Sequence, residues 1–106
     1  MITATDVDTV VERIVALYDP DSVYVFGSYA KGFTTDRSDL DLLVIRPSTL
    51  PRHLRGRDVV AVLADVPFGL DLLFLTPQEL ATELARPYSL VATIMPSARV
   101  VYAREV

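Results

Sequence analysis

The chain has 106 residues, a formal net charge of −4 and 51% hydrophobic residues. It has no cysteine, which excludes disulfides and thiolate metal sites, and its single histidine, His53, excludes a zinc site built from several imidazoles. Any bound metal must therefore be held by oxygen ligands, which favours Mg²⁺ or Mn²⁺.

Size and charge also limit the class of protein. The length predicts a single domain over residues 1–106, and the acidic balance argues against stable nucleic-acid binding. No apolar run approaches the roughly 20 residues of a membrane span, and the acidic N-terminus is unlike a signal peptide. We therefore expect a cytoplasmic protein without a membrane partner. The high hydrophobic content predicts a sheet buried on both faces, an apolar surface kept for a partner, or both.

The first half of the chain alternates between predicted helices and strands. Apolar residues at helical spacing predict a helix at about 7–18, capped by Thr5 or Asp6. A buried strand is predicted at 22–26, and a short helix at 27–33 follows it. A polar loop then leads to the next strand.

The second half continues this alternation. Its predicted elements are a strand, a helix, a strand, a helix, an ambiguous segment and a final strand, at 40–45, 55–64, 70–75, 76–86, 87–95 and 99–103. Thr76 and Glu79 form a capping-box pattern around Pro77, which marks the start of the second of these helices. The order predicts an α/β (α+β) fold, a small mixed β-sheet of about four strands with helices packed on it.

Three aspartates interrupt the apolar strand segments. Asp39 and Asp41 stand two residues apart at the start of one strand, so their side chains share a face about 6.6–6.8 Å apart along the chain. Asp71 occupies the same place in the strand at 70–75. An isolated aspartate is usually a turn or cap residue, but like charges at the start of buried strands are unfavourable unless a cation offsets them. If the two strands are neighbours, the three carboxylates form a candidate site for divalent metal ions.

Gly27 and Ser28 lie between a predicted strand and a predicted short helix. Glycine permits a tight turn and a close approach of the backbone to a ligand, and N–H groups at a helix start can bind a phosphate. Such a pair is usually an ordinary turn. Its significance here comes from the ten residues that separate Ser28 from Asp39.

This arrangement resembles the G-S-x10-D-x-D signature of nucleotidyltransferases related to DNA polymerase beta, and it is similar to the minimal nucleotidyltransferases of prokaryotes. The resemblance implies a polymerase beta-like fold and binding of the ATP triphosphate by Gly27 and Ser28. It also implies that Asp39 and Asp41 hold two Mg²⁺ ions. Asp71 then helps to bind one ion and to activate the attacking hydroxyl, so that all three aspartates are catalytic.

One position departs from the family pattern. Tyr29 stands where many relatives have arginine, and Lys31 is the candidate to replace that nucleotide contact. A solvated surface lysine is the alternative interpretation of Lys31.

The acceptor is suggested only by the resemblance. Longer relatives carry a second domain that grips a nucleic acid or an antibiotic, and we expect none here. Minimal members commonly serve as antitoxins of helical HEPN ribonuclease toxins and transfer AMP from ATP to a toxin tyrosine. Two alternatives remain: nucleotidyl transfer to a small molecule such as an aminoglycoside, and an antitoxin that acts by binding alone.

A basic stretch between the second and third strands has several interpretations. Arg52, His53, Arg55 and Arg57 could face an acidic partner, the triphosphate or RNA, or could form a solvated linker and helix start. His53 has no evident partner that would make it a catalytic base.

Overall fold

In the computed structural model, which describes residues 1–104, four strands form one mixed sheet in the order β3-β2-β1-β4. The strands are β1 (Ser22–Phe26), β2 (Leu40–Ile45), β3 (Leu70–Leu75) and β4 (Arg99–Ala103). Strand β1 runs antiparallel to both β2 and β4, whereas β2 and β3 are parallel. The predicted fold class, a mixed sheet of about four strands with packed helices, is confirmed.

Five α-helices and two short 3-10 helices connect and cover the strands. The α-helices are α1 (Ala4–Tyr18), α2 (Gly27–Lys31), α3 (Arg57–Val62), α4 (Pro77–Leu84) and α5 (Leu90–Ile94). The 3-10 helices lie at Arg52–Leu54 and Met95–Ser97. No helix within residues 1–104 is long and apolar enough to cross a membrane.

Strand β2 is apolar because both faces of the sheet are covered. Alternate residues point to opposite faces, so Leu42 packs in a cluster with α1 and α3, while Leu43 packs in a second cluster with α5. Both leucines are fully buried, and each such side chain stabilises the fold by about 2 kcal/mol. The high hydrophobic content therefore reflects, at least in part, a sheet buried on both faces.

Three predicted boundaries were wrong, and local hydrogen bonding or backbone geometry explains each. Helix α1 begins earlier than predicted, because Thr3 rather than Thr5 or Asp6 is its N-cap and Asp6 completes the capping box. Helix α2 ends at Lys31 because Gly32 adopts a left-handed conformation with φ of 80°. The helix predicted at 55–64 begins only at 57, because Gly56 is also left-handed.

The C-terminal half needs smaller corrections. The capping box of Thr76 and Glu79 is present at the start of α4, as predicted. The helix ends at Leu84 rather than near residue 86. The ambiguous segment contains α5, which Ser89 caps by accepting a hydrogen bond from the backbone N–H of Ala92.

Candidate active site

The sheet register aligns three of the predicted site residues, Gly27, Asp41 and Asp71. Phe26 pairs with Asp41 across β1 and β2, and Asp41 pairs with Asp71 across β2 and β3. Neighbouring strands lie about 4.8 Å apart, so these three positions form a row across the sheet. Gly27 directly follows Phe26. The Gly27 turn, Asp41 and Asp71 therefore lie side by side in that order.

The backbone of Gly27 lies very close to the side chain of Asp41 on the neighbouring strand. Its φ is +71°, a left-handed conformation that other residues rarely adopt. A Cβ atom at this position would overlap the carboxylate of Asp41. The backbone of the turn thus contacts the central aspartate directly, and any larger residue would displace that carboxylate.

Asp39 is positioned by a second glycine that the sequence analysis did not single out. A Cβ atom at Gly69 would overlap the Asp39 carboxylate, and the Leu40 N–H donates to the Gly69 carbonyl at 2.8 Å. The sequence signal for Gly69 was its position two residues before Asp71. That position indicates contact with Asp39 only once the parallel pairing of β2 with β3 is known.

The three carboxylates influence one another electrostatically. Burial raises the pKa of Asp41 above its ordinary value of 3.8, and the charges of Asp71 and Asp39 raise it further. Asp41 is half-buried, whereas Asp39 and Asp71 are exposed. The end of the sheet is therefore a region of concentrated negative charge in which one carboxylate is partly desolvated.

The donor set fits a hard divalent cation, but the side chains do not enclose one as they stand. Carboxylate oxygens are the ligands that Mg²⁺ and Mn²⁺ prefer. Within residues 1–104, however, no three acidic or histidine side chains are close enough to hold a metal ion. Asp39 leans onto Gly69 and Asp41 onto Gly27, towards opposite sides of β2. Side-chain rotation would be needed for them to share an ion.

The remaining candidate residues lie on α2. Ser28 is half-buried in the first turn of this helix, next to Gly27. Lys31 is exposed in the last turn, at the other end of the same five-residue helix. Ser28 thus directly follows the glycine that lies against Asp41, while Lys31 would have to reach back along the helix to contact the same ligand.

A second charged cluster lies at the other end of β3. Arg55 donates to both carboxylate oxygens of Glu79, at 2.5 and 3.2 Å, and to the carbonyl of Phe74 at 3.3 Å. Only 7% of the Arg55 side chain is exposed. The hydrogen bond from Arg55, with a further one from the backbone N–H of Thr76, lowers the pKa of Glu79 to about 2. Arg55 therefore braces the start of α4, a role that the sequence analysis did not predict.

Comparisons with known proteins identify one matching family and several similar proteins. A family model described as a nucleotidyltransferase domain matches residues 6–103. A protein of Methanocaldococcus jannaschii, provisionally named a protein adenylyltransferase, is 30% identical over 90 residues. The match covers 79% of this chain and 59% of the relative, so the chain spans less than two thirds of that protein's length.

Two crystal structures resemble the chain in fold. One, described as a toxin–antitoxin with AMP-PNP, has a TM-score of 0.62 at 19% identity and covers 92% of this chain and 73% of its own. The other, of a mutant of the toxin–antitoxin MntA-HpeT, has a TM-score of 0.60 at 17% identity and covers 92% and 72%. At these identities the likeness shows a shared fold.

Proposed function

The chain belongs to the family of nucleotidyltransferase domains, and from that premise we propose that it transfers AMP from ATP to a tyrosine of a helical HEPN ribonuclease toxin. The observation that carries the proposal is the row formed by the Gly27 turn, Asp41 and Asp71 across the end of the sheet. Further support comes from the relative named as a protein adenylyltransferase and from the two toxin–antitoxin structures of the same fold.

Each candidate site residue, in the row or beside it, has a role in this proposal. The Gly27 backbone and the Ser28 hydroxyl bind the triphosphate, with Lys31 as a further contact. Asp39, Asp41 and Asp71 are the residues that would hold two Mg²⁺ ions. Bound magnesium supplies positive charge that offsets the charge developing on the α-phosphate and on the leaving pyrophosphate.

The reaction is an in-line displacement at the α-phosphorus of ATP. The tyrosine oxygen forms a bond to this phosphorus, and the bond from phosphorus to the oxygen shared with the β-phosphate breaks. Pyrophosphate leaves with that bonding electron pair, and the tyrosine proton passes to the Asp71 carboxylate. The protein contributes mainly position and charge, because the reaction needs no covalent intermediate on a side chain.

Intact-mass measurement tests the proposal directly. A HEPN-type toxin, sought first in the gene adjacent to that of this chain, is incubated with the chain, ATP and magnesium, and the mass of the toxin is expected to rise by one or more AMP units. The double variant Asp39→Ala, Asp41→Ala should leave the mass unchanged. Asp36→Ala is the matched control, because Asp36 is an exposed acid in the same loop whose ion pair is with the N-terminal amine. It should transfer AMP like the wild type.

The same experiment separates the alternatives. If the HEPN protein's mass never changes while the double variant silences it as well as the wild type does, the antitoxin acts by binding alone. If AMP is transferred to an aminoglycoside but not to protein, the acceptor is a small molecule. Calorimetry with ATP and magnesium isolates the first step, and equal affinity of the wild type and a Ser28→Ala, Asp39→Ala variant would count against the proposed nucleotide site.

A further inference from the structure

An open groove of about 590 Å³ runs beside β3, the edge strand next to the carboxylates. One wall is β3, and the other is formed by α3 and the segment that follows it, through Val60, Leu63 and Phe68. Asp71 lines the groove, whereas Asp39, Asp41 and the Gly27 turn do not. The groove therefore opens onto one flank of the proposed active site.

The sheet order decides which flank this is. The Gly27 turn, which binds the triphosphate in the proposed function, lies on the β1 side of Asp41. Asp71 lies on the opposite side, on β3. An attacking group must approach the α-phosphorus opposite the leaving pyrophosphate. The flank beside Asp71 is thus the one from which an acceptor would arrive.

The outer edge of β3 offers backbone groups to a partner. The carbonyls of Gly69 and Leu75 accept hydrogen bonds from the β2 side, whereas the Phe74 carbonyl accepts one from Arg55 on the outer side. Because successive carbonyls alternate along a strand, the backbone groups of Leu70 and Leu72 also face outward. Across residues 1–104, no strand pairs with this edge.

The lining of the groove is mainly apolar, with basic residues at one end. Val60 is 55% exposed although it is apolar, and the side chains of Leu70 and Leu72 are only half-buried. Arg52 and His53 line the groove and are both exposed. This combination suits apolar side chains flanked by acidic ones.

We propose that this groove binds an extended polypeptide segment that adds to the edge of β3 and carries the acceptor tyrosine. The inference rests on the proposed function and specifies its acceptor. Side chains of an added strand alternate between two faces, so a tyrosine opposite Asp71 shares the face of that carboxylate. Its two neighbours then point to the face of Leu70 and Leu72, into the groove. The expected pattern is apolar, tyrosine, apolar, with acidic residues nearby.

A polypeptide fits the groove better than a nucleic acid does. Binding of nucleic acid depends on several cationic contacts to phosphates. The guanidinium of Arg55 is already engaged by Glu79. Arg52, which is about half exposed and 3.7 Å from the same carboxylate, is therefore the one arginine of the lining that can contact an acidic side chain of a ligand. His53 is the remaining basic residue of the lining, whereas eight of the twelve lining residues are apolar. An extended peptide uses both the apolar wall and the free backbone edge.

The test uses a fluorescein-labelled peptide with a Leu-Tyr-Leu centre flanked by glutamates, and a matched peptide flanked by lysines. Fluorescence anisotropy measures binding to the wild type and to Val60→Asp and Val62→Asp. The two valines are exposed on the same helix, by 55% and 45%, but Val62 does not line the groove. We expect the glutamate peptide to bind more tightly than the lysine peptide. Val60→Asp should weaken its binding at least about tenfold, and Val62→Asp less than about twofold.

Each result bears on a separate claim. The proposed peptide site is contradicted if the wild type and Val60→Asp bind the peptide equally. It is also contradicted if the wild type binds neither peptide. Binding of an oligouridylate that depends on Val60, without peptide binding, assigns the groove to nucleic acid and also overturns it. Calorimetry should show that both variants bind ATP with the affinity of the wild type. If only Val60→Asp loses ATP affinity, the groove is part of the nucleotide site and the proposed peptide site is wrong. If the peptide binds as expected but no AMP is transferred to the HEPN toxin, the peptide site is supported and the proposed function is refuted.

Discussion

At one end of β3, Asp71 faces two other carboxylates; at the other end, Arg55 and Arg52 surround the single carboxylate of Glu79. The pKa of a carboxyl group is shifted at each end, but in opposite directions. Burial and like charges raise the pKa of Asp41, whereas hydrogen bonds lower that of Glu79 to about 2. Both clusters lie beside the same strand, so the opposite pKa shifts come from the neighbouring charged groups: carboxylates at one end and arginines at the other.

The comparison separates charge that stabilises the fold from charge that does not. Glu79 is compensated within the protein, and each oxygen of its carboxylate accepts a hydrogen bond from Arg55. Asp41 is half-buried beside two like charges, an arrangement that works against stability. Perturbed groups of the second kind are enriched at functional sites because a ligand can supply the missing charge. The following predictions test this distinction, beginning with the largest effect.

Replacing Gly27 with alanine should affect the acidic end most strongly. The new Cβ would displace the Asp41 carboxylate and strain a left-handed backbone. We expect AMP transfer to fall by about 100-fold, since small misplacements of reacting groups can have effects of this size. The measurement is the initial rate of transfer under saturating ATP.

Gly32→Ala is the matched control. Gly32 has a similar φ of +80°, but a Cβ there would meet nothing within 4 Å. This variant should lose about 1 kcal/mol of stability to backbone strain and retain its transfer rate. If the two alanine variants lose activity equally, contact with Asp41 is not what requires glycine at position 27.

At the compensated end, Glu79→Gln should destabilise the fold. The variant removes the charge that satisfies the buried guanidinium of Arg55, and we expect a loss of about 2 kcal/mol. Thermal unfolding should show a melting temperature lower by about 10 °C. Glu83→Gln is the control on the same helix, because among the described residues 1–104 the Glu83 side chain pairs with the exposed Arg86 alone, at 3.8 Å. Its effect should stay within about 0.5 kcal/mol.

The pH dependence of the Glu79→Gln effect follows from the lowered pKa. Glu79 contributes stability above its ordinary value of 4.5, and that contribution is lost as the pH falls towards its folded value of about 2. The difference in melting temperature between wild type and Glu79→Gln should therefore be constant from neutrality down to about pH 4.5 and shrink below it, towards pH 2. A difference that also stays constant below pH 4.5 would mean that the variant acts through packing and not through charge.

The smallest effect is expected for the stability of Asp41→Asn in metal-free buffer. Removing the central charge relieves repulsion from Asp39 and Asp71, so the melting temperature should rise by about 2–5 °C, even though transfer is abolished. Because the folded pKa is raised, the wild type loses stability as the pH rises above about 3.8. The gain of the variant should appear over that range and be absent below it.

Asp8→Asn is the control for this last variant. Asp8 is exposed on α1, away from the carboxylate cluster. Its melting temperature should stay within about 1 °C of the wild type. A marked fall for Asp41→Asn would instead indicate that the aspartate is a structural capping residue.

Much of the fold could be predicted because its signals are local. Alternation of apolar segments located all four strands, and the pattern around Pro77 located the start of α4. Helix boundaries were wrong where a single residue interrupts the periodic pattern. Gly56, for example, is left-handed, so α3 begins at Arg57 and not at Arg55. The spacing of Gly27, Ser28, Asp39 and Asp41 was also a local signal, and the family match over residues 6–103 agrees with what it implied.

The sequence by itself indicated the candidate site residues, because strand periodicity and the Gly-Ser turn depend only on neighbours along the chain. Only the tertiary structure decided how those residues meet. The parallel pairing of β2 with β3 sets Asp71 beside Asp41 and Gly69 beside Asp39. The same is true of the Arg55–Glu79 pair, whose members are 24 residues apart. Such contacts depend on the register between distant segments, and burial of the whole core selects that register.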